Sequence, residues 1–347
     1  MKIGKALLPL GILAGVGWYG ISAVRRARRH NYFDGKVVLI TGGSRGFGLA
    51  LATEFAKHGA RLILTARNLE ELEHARKKLL TANLGLLEED IAIFPCDLTD
   101  AEQTRKMIEM ATSQFGTIDV LVNNAGIITV GPVENQSLDA FHMAMESNFY
   151  TMLHATVAVL PKMLERGDGN IVNITSIGAK LAVPHLLPYS ASKFAALGFS
   201  QGLHAELRSK GIRVTTVCPG LMRTGSHTHA LFTGDRDREY RWFSLGASLP
   251  FISTSAKCAA RQVVQATASG RTEITITPQA LLAATFAQAL PGCAAACMRW
   301  VNALALPKPL HDSDLNLIPG SQVRGKEVTP FLVLGRQAAR LYNENTR

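Results

Sequence analysis

Val37-Val38-Leu39-Ile40-Thr41-Gly42-Gly43-Ser44-Arg45-Gly46-Phe47-Gly48 is the stretch on which the reading of the whole chain turns. Val37 to Ile40 form an apolar, mostly β-branched run, as expected of a parallel strand covered on both faces. After the glycines, Leu49 to His58 has the apolar period of a helix. Strand, glycine turn and helix together bring backbone N–H groups and a helix N-terminus to a phosphate. The missing Cβ atoms let a pyrophosphate approach the backbone. Taken alone, the glycines read equally well as an ordinary tight turn.

Working outward, apolar strands alternate with amphipathic helices. Strands are expected at Arg61–Ala66, Ile91–Pro95, Val120–Asn123, Asn170–Thr175, Arg213–Cys218 and Thr272–Ile276. Helices are expected over Leu69–Asn83, from a Thr99-x-x-Glu102 capping box to Phe115, from a Ser137 cap through Leu138 to Arg166, over Tyr189–Lys210 and over Ser255–Ser269. Repeated β-α-β with right-handed crossovers predicts an α/β fold: a doubly wound, Rossmann-type parallel sheet of about seven strands with helices on both faces.

The spacing Thr41-Gly42-x-x-x-Gly46-x-Gly48 departs from the G-x-G-x-x-G of ordinary dinucleotide folds and resembles the turn of the short-chain dehydrogenase/reductase family. Further along, Tyr189-Ser190-Ala191-Ser192-Lys193 places a phenol and an ammonium four residues apart, on one helix face. A lysine there favours phenolate and suits the tyrosine to acid/base work, although a bare YxxxK more often marks a surface aromatic beside a solvated lysine. Ser176 ends the fifth strand thirteen residues upstream, at the carboxyl edge where active groups of such sheets gather. Asn148, in the long helix, is a fourth polar candidate; a helix–helix hydrogen bond is its plainer reading.

With Asn148, Ser176, Tyr189 and Lys193 in this order behind the glycine turn, residues 34–280 resemble that family throughout. Asp97 after the third strand, Asn123-Asn124-Ala125-Gly126 after the fourth and Pro219-Gly220-x-x-x-Thr224 after the sixth match it too. The resemblance implies that Tyr189 is the acid/base, that Lys193 lowers its pKa and holds the nicotinamide ribose, that Ser176 holds the substrate oxygen and that Asn148 keeps a relay water. It implies that Gly42, Ser44, Arg45, Gly46, Phe47 and Gly48 line the cofactor. Asp97 would touch the adenine, Asn124 and Gly126 the adenosine side, and Thr224 the carboxamide, beside Pro219 and Gly220. The second strand ends Thr65-Ala66-Arg67 with no acid to accept a free ribose 2′-hydroxyl. Arg67, Ser44 and Arg45 suit a 2′-phosphate, so NADP(H) is the expected cofactor. The substrate is expected to be a small-molecule carbonyl or secondary alcohol, apolar or lipid-like. An NAD-dependent alcohol dehydrogenase and a non-catalytic nucleotide-binding scaffold are the alternatives.

The net charge of +10 sits at the ends: residues 1–30 carry six basic and no acidic side chains, and residues 31–280 are nearly balanced at 24 against 23. No nucleic-acid surface is expected from that distribution. Leu7 to Val24 is an uncharged stretch of eighteen residues followed by Arg25-Arg26-Ala27-Arg28-Arg29. As a helix it would reach about 27 Å, enough to cross a bilayer core. Its flanking charges predict a membrane anchor with the body on the cytoplasmic side. Five cysteines without a CxxC pair suggest buried thiols in a reducing setting.

His227-Thr228-His229 has no third ligand spaced to complete a metal site and reads as part of a mobile loop; no metal is expected. By the same family resemblance, Leu221–Pro250 is expected to form the lid that closes over the substrate. Leu281 to Leu306, broken at Pro291-Gly292, predicts a pair of apolar helices packed on the body, with membrane contact as the sharper option. A short helix is expected from Pro330 to Tyr342. The chain is thus divided into an anchor with its basic flank (1–30), a dinucleotide-binding catalytic domain (31–280) and a C-terminal helical extension and tail (281–347), with a homo-oligomer left open. The anchor, the apolar helices and the apolar lid together suggest a substrate that enters from the membrane side.

Overall fold

The computed structural model describes residues 32–249, 252–310, 315–323 and 333–344. The expected anchor at residues 7–24 and its arginine flank lie outside the described residues. In chain order the strands are β1 (Val37–Thr41), β2 (Arg61–Ala66), β3 (Ile91–Pro95), β4 (Val120–Asn123), β5 (Thr129–Val130), β6 (Gly169–Ile174), β7 (Ile212–Pro219), β8 (Met222–Arg223), β9 (Leu231–Phe232), β10 (Thr254–Ser255), β11 (Glu273–Ile276) and β12 (Ile318–Pro319). Seven of these form one sheet in the order β11-β7-β6-β4-β1-β2-β3. Every neighbouring pair in it is parallel. This is the doubly wound Rossmann-type sheet that the alternation predicted.

The apolar run of β1 is explained by its two layers. Val38 and Ile40 pack with the helices Gly46–Ala56 and Ala256–Ala268, while Val37 and Leu39 pack with Ala101–Phe115 and Thr151–Arg166. Successive side chains of a strand point to opposite faces, and here both faces are covered. From β1 the chain works outward through β2 and β3, then returns to the other side of β1 with β4. The order therefore reverses between β1 and β4, and a crevice opens at their carboxyl ends.

Several helix boundaries differ from expectation. Asp100 caps the helix Ala101–Phe115, accepting from the N–H groups of Glu102 and Gln103 at 2.9 and 3.0 Å. Thr99 instead donates its hydroxyl to Asp97 at 2.8 Å. A carboxylate meets the helix dipole better than a hydroxyl does, so the cap falls one residue later. Ser137 caps Leu138–Met145 as expected, but the helix does not run unbroken to Arg166. A π turn at Glu146–Tyr150 interrupts it before Thr151–Arg166. Such turns cluster at functional sites, and this one carries Asn148.

Within the expected lid, β8 pairs with β10, β9 joins β5 and β12, and Arg236–Ser248 forms a helix. The expected apolar pair is present as Pro278–Ala289 and Pro291–Ala305, split at the proline. Their buried positions are alanines, and Leu282, Trp300 and Leu304 are exposed. Among the described residues no helix is long and apolar enough to cross a membrane. All five cysteines are free. Cys258, Cys293 and Cys297, expected to be buried, lie on outward helix faces.

Phe55 is wholly buried and meets Phe33 edge-to-face at 4.9 Å, far from the crevice. Phe55→Ala should cost about 3–5 kcal/mol of stability through the cavity it leaves. Urea unfolding of the two proteins measures this directly, and the slope should be unchanged.

Candidate active site

The crevice is pinned by Thr41, the last residue of β1. Its Oγ1 accepts from the N–H groups of Asn124 at 2.8 Å and Ala125 at 3.0 Å, just beyond β4. Asn124 in return donates Nδ2 to the Thr41 carbonyl at 3.0 Å and to that of Gly42 at 3.3 Å. Gly48 packs so closely under this turn that a Cβ would collide with the Gly42 carbonyl and stand 2.7 Å from Asn124 Nδ2. Gly46 has φ +55°, which an L side chain adopts only with strain. Gly46, Phe47 and Gly48 are the first residues of the helix Gly46–Ala56, so the turn offers close approach at its two glycines and first-turn N–H groups suited to an anion, that of Gly46 being taken by the Tyr342 carbonyl at 2.8 Å. A dinucleotide's pyrophosphate fits that donor set.

Asn148, Ser176, Tyr189 and Lys193 converge at the carboxyl edge of β4 and β6. Ile127 N–H donates to Asn148 Oδ1 at 2.9 Å, and Asn148 Nδ2 donates to Ser192 Oγ at 2.9 Å. Ser192 donates to the Tyr189 carbonyl at 2.8 Å. Lys193 Nζ donates to the Ile174 carbonyl at 3.1 Å and stands 5.8 Å from the Tyr189 ring centroid. A Cβ at Gly126 would strike Asn148 Oδ1 and lie 3.5 Å from Lys193 Nζ, so a glycine is needed where these two polar groups meet. The Ser176 and Tyr189 side chains both lie against Gly178, close enough for the serine hydroxyl to influence the phenol. Gly178 N–H holds Ser176 Oγ at 3.0 Å. The helix bearing the pair starts at Leu187 with Pro188 in its first turn, two residues ahead of expectation.

Burial sets the charge state of both groups. It pushes the Tyr189 phenol up, and the Ser176 hydroxyl opposes this more weakly. The lowering expected from Lys193 is therefore not the dominant effect on the phenol in this structure. Burial also brings the Lys193 ammonium down to about 8, so at neutral pH it remains mostly charged.

On the cofactor side the residues divide. Ser44 and Arg45 lie together in the turn, but both face Glu71. Ser44 Oγ donates to it at 3.2 Å, and Arg45 Nη1 at 3.0 and 3.2 Å. Glu71 belongs to the first turn of Leu69–Leu80, and an acid does therefore stand near the end of β2. Arg67 is exposed and has no ion-pair partner among the described residues. Asp97 holds Thr99 and sits beyond β3, an outer strand. Pro219 ends β7, Gly220 donates its N–H to Ile276 at 3.1 Å, and buried Thr224 accepts from Ser226 N–H at 3.2 Å. His227 lies in a short turn with its ring 5.9 Å from that of Tyr240. Among the described residues no group of His, Cys, Asp and Glu could hold a metal.

Two features near the site had no sequence signal beyond their chemistry. His185, four residues before Tyr189, has φ +64° and is buried. Its Nδ1 lies 2.7 Å from Oε1 of the fully buried Glu239 in the helix Arg236–Ser248. Trp242 Nε1 donates to the same carboxylate. The helix over the mouth is thereby tied to the segment that delivers Tyr189. The other feature is the C-terminal segment, which reaches the glycine turn.

Sheet order, glycine turn and the Tyr-Lys helix define a dinucleotide-type oxidoreductase frame, and the comparisons with known proteins agree. Residues 36–231 match the model of the short chain dehydrogenase family, and the chain belongs to that family. Among curated proteins it is similar to a dehydrogenase/reductase SDR family protein 7-like of Anopheles gambiae, with 37% identity over 211 residues, 61% of this chain and 67% of that one. A short-chain dehydrogenase from Streptomyces avermitilis superposes with TM-score 0.65 and 29% identity, covering 78% of this chain and 97% of its own. An actinorhodin polyketide ketoreductase solved with NADPH gives TM-score 0.60 and 28% identity, over 70% of this chain and 95% of its own. The protein is therefore an oxidoreductase of a family that uses nicotinamide cofactors.

The lowered pKa of Lys193 has a consequence for stability. Between about 8 in the folded state and 10.5 in the unfolded one, the unfolded chain holds more protons at this position. Folded-state stability must then rise with pH across that window. Relative to Lys193→Met, the native chain should gain up to about 3 kcal/mol between pH 7 and 10.5. Chemical unfolding at a series of pH values checks the sign, and a falling difference would contradict it.

Proposed function

We propose that this chain is an NADP(H)-dependent oxidoreductase acting between a carbonyl and a secondary alcohol, with Tyr189 as the acid/base. The observation that carries it is the linked set of Ser176, Tyr189, Ser192 and Asn148 with Lys193 beside them at the crevice mouth. The bound nicotinamide supplies or accepts the hydride. Ser176 holds the substrate oxygen, and Tyr189 gives it a proton. Burial keeps that proton on the phenol until the oxygen gains negative charge, which suits reduction. The Lys193 ammonium then favours release of the proton, and Asn148 would seat a water for resupply. The substrate is an apolar ketone. Tyr189 packs in a cluster with Ile128, Val130, Val183, Trp242 and Phe243, a setting that favours an apolar ligand. Residues 7–24 would anchor the enzyme, with its body on the cytoplasmic side.

Tyr189→Phe should lower turnover by about 10²–10⁴ while nucleotide affinity stays the same. Assays of NADPH consumption on a ketone panel that includes lipids, paired with nucleotide titrations, test this. Activity close to that of the native enzyme would assign the acid elsewhere.

NADP(H) is favoured by the unpaired Arg67 and by the NADPH-bound ketoreductase, while Glu71 supports a second reading. Its carboxylate could accept a ribose 2′-hydroxyl, as an NAD enzyme requires. Arg67→Asp decides between them. If Arg67 meets the 2′-phosphate, NADPH affinity should fall about ten- to a hundredfold with NADH little changed. Unchanged NADPH binding would favour the second reading.

A further inference from the structure

The segment from Val333 to Glu344 runs from the loop after β7 to the glycine turn. Its helix, Val333–Leu341, packs on β8 and on Arg236–Ser248, with Ala339 against Gly225. The three residues after that helix then bind the turn itself. The Tyr342 carbonyl accepts from Gly46 N–H at 2.8 Å, and Asn343 Nδ2 donates to the Ser44 carbonyl at 3.3 Å. The Glu344 side chain is buried. Its Oε1 fills the space that a Cβ on Gly46 would need. Its Oε2 stands 3.7 Å from Arg45 Nε and 3.1 Å from His229 Nε2. The segment is held from outside as well. Lys78 Nζ donates to the Leu341 carbonyl and, at 3.0 Å, to Asn343 Oδ1. Thr228 Oγ1 donates to the Glu344 carbonyl at 3.3 Å.

A Cβ-free turn at a helix N-terminus beside an arginine is a seat for an anion, and the group standing there is the Glu344 carboxyl of the same chain. We propose that Glu344 sets nucleotide affinity and selectivity by occupying the phosphate seat at Gly46 and Arg45, so that a dinucleotide binds only by displacing residues 342–344. This rests on the reading of the glycine turn as the dinucleotide cradle. Three arguments support it. The first is position: the carboxylate oxygen occupies the opening that the missing Gly46 side chain leaves for close approach. The second is charge: Arg45 lies between Glu71 and Glu344, so it meets a 2′-phosphate only after one carboxylate withdraws. A cofactor without that phosphate is opposed less, and the competition therefore bears harder on NADP(H) than on NAD(H). The third is charge state: burial drives the Glu344 carboxyl up to about 8, with Arg45 pulling down and Glu71 adding to the rise, so at neutral pH it stands in the seat mostly protonated. The neutral acid opposes a phosphate little, whereas the carboxylate that forms above that range repels it, so the competition should strengthen as pH rises.

Above about pH 8, where Glu344 is ionised, Glu344→Gln keeps the shape and removes the charge. It should bind NADPH about tenfold more tightly than the native chain and gain less for NADH. A chain ending at Leu341 should show the same change or a larger one. Titration of both nucleotides by tryptophan quenching reads the affinities without reference to turnover, and a melting curve confirms that each variant is folded. The native chain supplies an independent readout through Arg340, which is exposed and lies just ahead of the latch. NADPH should speed tryptic cleavage after Arg340, followed by mass spectrometry of the released end. Equal or weaker NADPH binding by both variants, or protection of Arg340 by NADPH, would overturn the proposal, since either means that the tail closes over the cofactor or ignores it. If neither the native chain nor the variants bind either nucleotide, the reading of the turn as the cradle fails as well, an outcome distinct from unchanged affinities.

Discussion

The architecture depends on one side chain holding two strands in register at their carboxyl ends. Thr41 closes β1, and its Oγ1 takes two consecutive N–H groups from the chain leaving β4, at 2.8 and 3.0 Å. Buried donors with no partner are costly, so these bonds fix the spacing of the crevice as well as its floor. The glycine turn, the Gly46–Ala56 helix and the Asn124–Gly126 bend all take their positions from this tie. Gly48 fits beneath it only because it has no side chain.

From that floor the polar groups of the site are built in a chain of contacts in which each fixes the next. The π turn at Glu146–Tyr150 widens the helix locally and turns Asn148 inward to meet Ile127 and Ser192. Ser192 reaches the backbone of Tyr189, and Lys193 is drawn to the Ile174 carbonyl at the end of β6. A group held by two partners in a dry setting is preorganised, which is the usual source of strength in such a site. The pair of His185 and Glu239 extends this order to the helix above the mouth.

Most of the sheet was legible from the sequence because β1, β2, β4, β6 and β7 are apolar runs with glycine or polar breaks, and burial on both faces demands that pattern. The Asn148, Ser176, Tyr189 and Lys193 set was legible for a different reason. Those residue types at those offsets are brought together by the same sheet edge. What escaped was whatever depended on contacts between distant segments. Glu71 reads as an ordinary surface acid in a charged helix until the fold places it 3.0 Å from Arg45. Glu344 follows a short helix near the end of the chain, and nothing in its neighbours links it to Gly46, almost three hundred positions earlier. The π turn was equally silent, because Leu138–Arg166 keeps a helical apolar period across it and only the backbone shows the break.

Tyr32, where the described chain begins, has a meaning for orientation. Its hydroxyl takes hydrogen bonds from Asn170 and Arg213, which stand at the amino-terminal ends of β6 and β7. Tyr189 and Gly46 belong to the opposite edge. Strands of this length rise about 17 Å between the two ends. If residues 7–24 anchor the chain as proposed, the tether would enter at Tyr32 and hold the molecule by its base, with the reacting mouth at the opposite edge. For a dissolved substrate that is an advantage, since the mouth opens onto free solution. A substrate drawn from lipid would require the body to lie on its side, within the reach of about 27 Å that the seven residues between Val24 and Tyr32 allow when fully extended.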